Sequence, residues 1–305
     1  LWDGNHEGLK NYRIRATDTF GKISEATPVF SFKVDTLGPT VIIGTPISTS
    51  WLTVSSYPAS GTANDVTSSV ESIYFSTDDG GSWDLATGTT QWTAALDLQN
   101  LAEGSVTLQV KAFDIAGNEG PIASRSFGND QDLPFLEEDS VGTGTIYRNT
   151  SFSLGGTLTD SNSIKRLVVV QKSSAGTVTI HDDATLSGKS SGFSVTDLPR
   201  NNSTPSELLL SNGVYEYNLT LYDIAGNPFY VTRTVTVDIT PPTVEYTSIN
   251  PLVGETLVNG EVTFSVAASD ENGLSGVNYW ILASGAEEAE YDTGGTRYGL
   301  TQYKP

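Results

Sequence analysis

Cysteine is absent from this chain of 305 residues, and histidine occurs only twice, at His6 and His181. Without cysteine the chain forms neither disulfides nor thiolate metal sites, so each domain must be held together by its own apolar core. Cations bound by oxygen atoms remain compatible with this composition. His181 precedes two aspartates but has no evident serine partner, so the segment from His181 to Asp183 is predicted to be an exposed loop and not part of a catalytic triad.

Basic residues are also scarce. Lysine and arginine total 16 against 36 aspartates and glutamates, which gives a net charge of −20, and no basic cluster interrupts the acidic composition. Nucleic acid and anionic membrane surfaces are therefore not expected partners. No apolar run approaches the roughly 18 to 20 residues that a membrane-spanning helix requires.

The first residues, Leu1-Trp2-Asp3, do not resemble a charged and then apolar signal segment, which indicates a mature or excised piece. An acidic, cysteine-free composition rich in serine, threonine and glycine favours an extracellular or cell-surface location. An ordinary soluble protein is the alternative.

One pentapeptide, Asp-Ile-Ala-Gly-Asn, begins at Asp114 and again at Asp223, and a divergent copy begins at Asp18. The period is 96 residues (114−18) and then 109 (223−114), whereas solenoid repeats are about 20 to 50 residues long. Each repeat is therefore predicted to be a whole domain. A glycine stands ten residues before each copy (18−8, 114−104 and 223−213), at Gly8, Gly104 and Gly213.

Apolar and polar residues alternate just before each copy of the motif, as in a half-buried strand. The motif itself predicts a turn, because glycine supplies a positive φ and aspartate or asparagine binds the local backbone. No helical periodicity of useful length is present. Return strands are predicted at Val29 to Val34, Ile122 to Phe127 and Val231 to Val237, and further strands at Ser72 to Thr77, Lys165 to Gln171 and Val262 to Ala267.

Antiparallel strands and turn signals over roughly 100 residues predict an all-β chain of tandem immunoglobulin-like antiparallel β-sandwiches, with seven or eight strands in each complete domain. The predicted units are residues 1–37, the C-terminal hairpin of an incomplete domain; 38–131, a complete domain; 132–240, a complete domain with a loop insertion around Leu186 to Ser206; and 241–305, the N-terminal part of an incomplete domain.

The motif and its surroundings resemble a known family. Gly-x(9)-Asp-x-Ala-Gly-Asn, followed by a strand and then by Val-Asp-x-Thr-Pro-Pro-Thr-Val from Val237 to Val244, is similar to the bacterial immunoglobulin-like tandem repeats of large surface proteins and adhesins. The segment from Ile73 to Trp83 also looks like the middle hairpin of that family. The resemblance implies a rod of tandem domains that projects or connects something, with Ca²⁺ stiffening the joints in some members.

Aspartates are predicted to converge where one domain joins the next. In an immunoglobulin-type sandwich, the end at which a domain begins also carries the loop after its second strand and the loop before its last strand. An aspartate on the linker from the preceding domain should therefore meet aspartates on these two loops. The predicted groups are Asp35, Asp65 and Asp114 at the first joint; Asp130 or Asp132, with Asp160 and Asp223, at the second; and Asp238 with Asp270 at the third.

Three carboxylates within about 5 Å of one another would repel by roughly 3 kcal/mol per pair at an effective dielectric constant near 20, and a divalent cation would remove this cost. Ca²⁺ is the predicted cofactor because it takes about six to eight oxygen ligands in tolerant geometry. Backbone and asparagine carbonyls, such as those at Asn118 and Asn227, are predicted to add ligands. The alternative is that the aspartate and asparagine of each motif only cap a hairpin turn.

The function predicted from these features is a non-enzymatic structural stalk, spacer or assembly module of a secreted or surface-anchored bacterial protein. The first alternative is a carbohydrate- or receptor-binding adhesin module, in which Trp51, Trp83 and Trp92 would form a platform for a host glycan; placement of these tryptophans in the core is the competing interpretation. The second alternative is a set of accessory domains of a secreted hydrolase.

The two incomplete ends together nearly make one repeat. One explanation is that the sequence covers a window of a longer tandem chain. The other is head-to-tail assembly into filaments, in which residues 241–305 of one subunit are completed by the hairpin of residues 1–37 of the next. The expected partners are therefore neighbouring immunoglobulin-like domains of the same or adjacent subunits.

Overall fold

The computed structural model describes residues 7–144, 146–250 and 263–277. No helix in these ranges is long and apolar enough to cross a membrane. The strands are β1 (Gly8–Tyr12), β2 (Phe30–Val34), β3 (Thr40–Thr45), β4 (Trp51–Leu52), β5 (Ser56–Asn64), β6 (Val70–Ser76), β7 (Asp84–Leu85), β8 (Thr87–Gly88), β9 (Gln91–Asp97), β10 (Gly104–Asp114), β11 (Ala123–Asn129), β12 (Phe135–Glu138), β13 (Ile146–Arg148), β14 (Phe152–Thr159), β15 (Ile164–Ser173), β16 (Gly176–Asp183), β17 (Ser190–Leu198), β18 (Gly213–Asp223), β19 (Pro228–Val237), β20 (Thr243–Asn250) and β21 (Thr263–Ser269).

The first sandwich consists of strands β3 to β11. Its two sheets have the orders β3-β5-β9-β8 and β4-β11-β10-β6-β7. Strand β10 alternates buried and partly exposed side chains, so its apolar residues face the second sheet and pack around Trp92, which is 1% exposed. The all-β sandwich predicted from the sequence is confirmed. It contains nine strand segments, three of them only two residues long, instead of the seven or eight predicted.

The second sandwich consists of strands β12 to β19 and repeats this topology. Its sheets have the orders β12-β14-β17 and β13-β19-β18-β15-β16. Strand β18 shows the same alternation of burial as β10, and both end on a buried aspartate, Asp114 or Asp223. In both sandwiches one short strand runs parallel to its neighbour, β4 to β11 and β13 to β19.

The loop insertion predicted around Leu186 to Ser206 is wrong over much of its length. This stretch contains β17, which pairs with β14 along most of the smaller sheet. Val195 and Leu198 on β17 are buried in the core. The sequence pattern did not predict this strand because serine, threonine and glycine fill the positions between its few apolar residues.

The loop predicted from His181 to Asp183 is also wrong. These residues end strand β16, at the edge of the larger sheet, where His181 pairs in register with Val169 on β15. Asp182 forms a surface ion pair with Arg166, with 2.6 Å between the carboxylate Oδ2 and the guanidinium Nη2. His181 therefore belongs to a structural edge strand.

The two outer hairpins each form a two-stranded sheet, β1 with β2 and β20 with β21. On the first hairpin Tyr12 stacks on Phe30, with ring centroids 5.4 Å apart, and Phe32 lies beside Tyr12. All three rings are nearly half exposed. By sequence register Tyr12 and Phe32 correspond to the core residues Leu108 and Phe127 of β10 and β11, so this hairpin presents a face typical of half a sandwich. Residues 1–6, 251–262 and 278–305 lie outside the described residues, so the predicted domain boundaries and head-to-tail assembly stay predictions.

Gly61 allows a close approach between strands of the first sandwich, and its replacement by alanine should destabilise that domain. A Cβ atom there would lie 2.0 Å from the carbonyl oxygen of Ile42 and 2.6 Å from the ring of Trp92. Overpacking of this kind costs about 1–3 kcal/mol, which urea unfolding of the full chain would measure. Gly192→Ala is the control, since its nearest contact would be an ordinary 3.8 Å. Equal unfolding free energies for the two variants would contradict this expectation.

Candidate metal centres at the domain joints

The three linker aspartates occupy equivalent positions. In each repeat the glycine that begins the penultimate strand pairs in register with the residue directly before the linker aspartate. The two later aspartates are further matched by their backbone N–H groups, which donate to carbonyls of β4 and β13. The equivalent sets, each written as glycine, paired residue and linker aspartate, are Gly8, Val34 and Asp35; Gly104, Asn129 and Asp130; and Gly213, Val237 and Asp238.

The first joint brings Asp35, Asp65 and Asp114 together. One carboxylate oxygen from each lies within 4.8 Å of the other two. Asp114 is fully buried, whereas Asp35 and Asp65 are partly exposed. The carboxylate of Asp114 accepts hydrogen bonds from the backbone N–H groups of Ala116 and Asn118, so the motif aspartate does cap its turn.

The second joint brings Asp130, Asp160 and Asp223 together with the same spacing of 4.8 Å or less. Asp130 is 0% exposed and Asp223 is 1% exposed. Both carboxylate oxygens of Asp130, together with Oδ2 of Asp160 and Oδ2 of Asp223, are buried without a hydrogen-bond partner. Four buried carboxylate oxygens without donors, at one point of the structure, form a group that would accept a hard cation.

The two loop aspartates of the second joint divide their oxygens between two tasks. Oδ1 of Asp160 accepts the N–H groups of Asn162 and Ser163, both at 2.7 Å, and Oδ1 of Asp223 accepts those of Gly226 and Asn227. The other oxygen of each, Oδ2, is buried without a hydrogen-bond partner. Turn capping and cation binding are therefore compatible here, because each carboxylate has one oxygen for the turn and one to spare.

The electrostatics of the second joint are unfavourable without a cation. Burial, together with repulsion from Asp223, Asp160 and Glu103, raises the pKa of Asp130 to about 7, although the nearby Asn162 amide acts in the opposite direction. At the first joint, burial would also raise the pKa of Asp114, but hydrogen bonds from the side chain and backbone of Asn118 and from neighbouring N–H groups outweigh it and lower that pKa. The second joint is thus the stronger candidate.

The remaining predicted ligands take other places. The linker carboxylate in the second group is that of Asp130, and Asp132 is exposed. Asn227 donates its amide N–H to the backbone carbonyls of Asp130 and Asp132, at 3.1 Å each, and Asn118 donates to the carbonyl of Asp35. These asparagine side chains therefore fasten the linker to the loop through their nitrogen atoms, and no ligand role for them is seen in these contacts.

The third joint has two carboxylates instead of three in its described residues. Asp238 and Asp270 are bridged by Asn272, whose backbone N–H binds Asp270 and whose amide donates to Oδ2 of Asp238 at 2.6 Å. At this joint Asn272 thus connects the linker aspartate to the loop aspartate through hydrogen bonds.

The three tryptophans of the first sandwich do not share a surface. Trp92 is a core residue, and Trp51 packs so closely that a Cβ atom on Gly128 would lie 2.2 Å from its ring. Trp83 is partly exposed, but the ammonium group of Lys111 lies 4.5 Å from its ring centroid. The predicted glycan platform of three tryptophans is therefore wrong in geometry.

Residues 137–239 match the family model described as a bacterial Ig-like domain. The predicted resemblance is confirmed. The match covers the second sandwich, whose topology the first sandwich repeats. No curated protein sequence matches the chain significantly.

Several solved structures are similar in fold. A tetra-tandem repeat from the extending region of a large adhesion protein is 19% identical over 88% of this chain and 72% of that chain, with a TM-score of 0.36. A 1.5-MDa bacterial ice-binding adhesin is 18% identical over 71% of this chain and 70% of that chain, with a TM-score of 0.35. The fibronectin(III)-like modules of CbhA from Clostridium thermocellum are 16% identical over 65% of this chain and 94% of that chain, with a TM-score of 0.35.

Proposed function

We propose that this chain is a non-enzymatic spacer of a secreted or surface-anchored bacterial protein, built from tandem Ig-like sandwiches whose joints are stiffened by Ca²⁺. The observation that carries the proposal is the second joint, where Asp130, Asp160 and Asp223 bring buried, unpartnered carboxylate oxygens within 4.8 Å of one another. Two ligands on opposite sides of a Ca²⁺ ion lie about 5 Å apart, twice the usual Ca–O distance. The spacing therefore suits a single shared ion.

Each group draws its carboxylates from both sides of a joint, which is why a bound ion would act on stiffness. Asp130 lies on the linker and is bonded through its backbone to Leu52 of the first sandwich, whereas Asp160 and Asp223 belong to the second. Mutual repulsion of roughly 3 kcal/mol per carboxylate pair opposes this arrangement until a divalent cation compensates it. Cation binding would therefore favour the docked joint over a flexible one.

Calcium titration of the full chain tests the proposal. We expect wild-type protein to bind Ca²⁺ at two joints, with a rise in melting temperature and a narrower distribution of scattering dimensions. Asp223→Asn should lose one site, because the amide retains the Oδ1 acceptor for the turn and lacks the charge that the ion requires. Calorimetry and small-angle scattering would measure both effects.

Asp84→Asn is the matched control, since it removes the same charge from an exposed residue of the edge strand β7, level with the middle of β10. If Ca²⁺ changes neither scattering dimensions nor melting temperature of the wild type, the turn-capping interpretation holds and the cation proposal fails. A host glycan or receptor as a partner stays a prediction, and binding assays on the same protein would address it.

A further inference from the structure

The glycine that precedes each motif aspartate by ten residues has an unusual backbone conformation. Gly8, Gly104 and Gly213 have φ values of +89°, +114° and +150°, in the region that side-chain-bearing residues rarely adopt. Each glycine makes the last register pair of its hairpin, so the residue before it lies beyond the ladder, next to the start of the linker. The positive φ redirects the chain at this point.

The side chain before each glycine accepts a hydrogen bond from the linker at the same place in all three repeats. The N–H group of Gln131, directly after Asp130, donates to Oε2 of Glu103 at 3.0 Å. The partner of Glu7 is the N–H group of Thr36, at 2.9 Å, and the partner of Asn212 is that of Ile239, at 2.8 Å. The donor is always the residue that follows the linker aspartate.

Contacts across the joint extend this arrangement. At the first joint Glu7 also accepts a hydrogen bond from the hydroxyl group of Thr67, two residues after Asp65, at 3.3 Å. At the second joint the equivalent residue, Asn162, lies so close to Gly104 that a Cβ atom there would be 3.6 Å from its amide oxygen. At these two joints the same corner of the repeat therefore touches both its own linker and the loop of the next domain.

We infer that Glu7, Glu103 and Asn212 are positioning residues of the joints: each holds the backbone just after the linker aspartate, so that the aspartate carboxylate faces the loops of the next domain. For Glu7 and Glu103 this inference rests on the proposed cation-binding function. Asn212 makes the same bond without a charge, so the hydrogen bond itself, and not the negative charge of the glutamates, is the shared feature.

Two substitutions of Glu103 test this inference. Glu103→Gln retains a side-chain oxygen that accepts the N–H group of Gln131, as Asn212 does for Ile239, whereas Glu103→Ala removes it. In full-length protein with the first joint silenced by Asp65→Asn, we expect Glu103→Ala to weaken Ca²⁺ binding by about tenfold, as loss of an outer-shell support typically does. Glu103→Gln should remain within about threefold of the parent.

A second measurement works without calcium. Amide hydrogen exchange of Gln131 in chelator should be at least about tenfold faster in Glu103→Ala than in the parent, and nearly unchanged in Glu103→Gln, because exchange requires the donor to be released. Glu71→Ala, which removes a similar carboxylate from the exposed face of β6, serves as the control for charge.

The outcomes separate the two hypotheses. If the parent protein does not bind Ca²⁺, the proposed function fails, and the exchange rate of Gln131 still decides whether Glu103 holds the linker. If Ca²⁺ binds and Glu103→Ala matches the parent in affinity and exchange, the positioning role is overturned. Equal losses of affinity in Glu103→Gln and Glu103→Ala would also overturn it, since they would assign the effect to charge.

Discussion

Replacing Glu138 with alanine should destabilise the second sandwich by about 3–5 kcal/mol, the usual cost of leaving one partner of a buried ion pair alone. The Glu138 side chain is 0% exposed and lies 2.7 Å from the Nε atom of Arg233, which is 16% exposed. The other carboxylate oxygen accepts the N–H groups of Ser140 and Val141. Because Glu138 ends β12 and Arg233 lies on β19, this pair joins the two sheets.

Urea unfolding of the full chain would measure this loss. Glu216→Ala is the control, because the ion pair of Glu216 with Lys172 is 40% and 51% exposed and should contribute less than about 1 kcal/mol. Similar losses in the two variants would contradict the structural role assigned to the buried pair.

Glu138 should also make the unfolding free energy of the second sandwich depend on pH. Burial alone would raise the pKa of Glu138, but hydrogen bonds from Ser140 and Arg233 outweigh it and lower that pKa below its usual 4.5. A carboxyl group whose pKa is lowered on folding stabilises the protein above its unfolded pKa, and this contribution disappears as the pH falls through the folded value. The difference in unfolding free energy between wild type and Glu138→Gln should therefore shrink below about pH 4.5. A difference that grows on acidification would contradict this prediction.

Asp130→Asn should make the second joint more ordered than in the wild type without calcium, and less ordered with calcium. In chelator the variant should favour the docked second joint by about 2–4 kcal/mol, because it removes the repulsion of a buried charge by Asp160 and Asp223 while preserving the side-chain shape. In Ca²⁺ the wild type should be the more ordered protein, because the variant lacks a carboxylate ligand.

Distances between spin labels placed by Thr93→Cys and Ser194→Cys on the two sandwiches would report the order of the joint, and the absence of native cysteine makes this labelling specific. The distance distribution should narrow in chelator for Asp130→Asn and in Ca²⁺ for the wild type. Asp132→Asn, an exposed neighbour, should behave as the wild type. An Asp130→Asn protein that retains the full response to Ca²⁺ would exclude Asp130 as a ligand.

Much of this architecture could be predicted from the sequence because the informative residues recur at fixed spacing. The alternation before Asp114 and Asp223 defined core-facing strands, and it placed both aspartates at the end of a sandwich. The immunoglobulin order of strands then brought the linker and the two loops to the same place. These steps require only strand periodicity and a known topology.

Other features depend on atomic detail that composition and spacing do not carry. The choice between Asp130 and Asp132 required the hairpin register that ends at Asn129. The contact of Glu103 with the linker depends on the unusual φ of Gly104, and the orientation of the Asn118 and Asn227 amides depends on which backbone carbonyls the linker presents. A lone glutamate before a glycine was the only sequence signal for this contact, and its recurrence is partial because the third repeat has asparagine.

The parallel strand pairs have a consequence for a chain under tension. In each sandwich a short strand from the first part of the domain lies beside the last strand, which leads to the outgoing linker: β4 beside β11 and β13 beside β19. Tension applied to the two ends of the chain pulls the two strands of each pair past one another along their own axes. The hydrogen bonds between them then share the load and break together. In a hairpin, by contrast, the hydrogen bonds open one after another. Strands β13 and β19 share three residue pairs against two for β4 and β11, so stretching would open the first sandwich before the second.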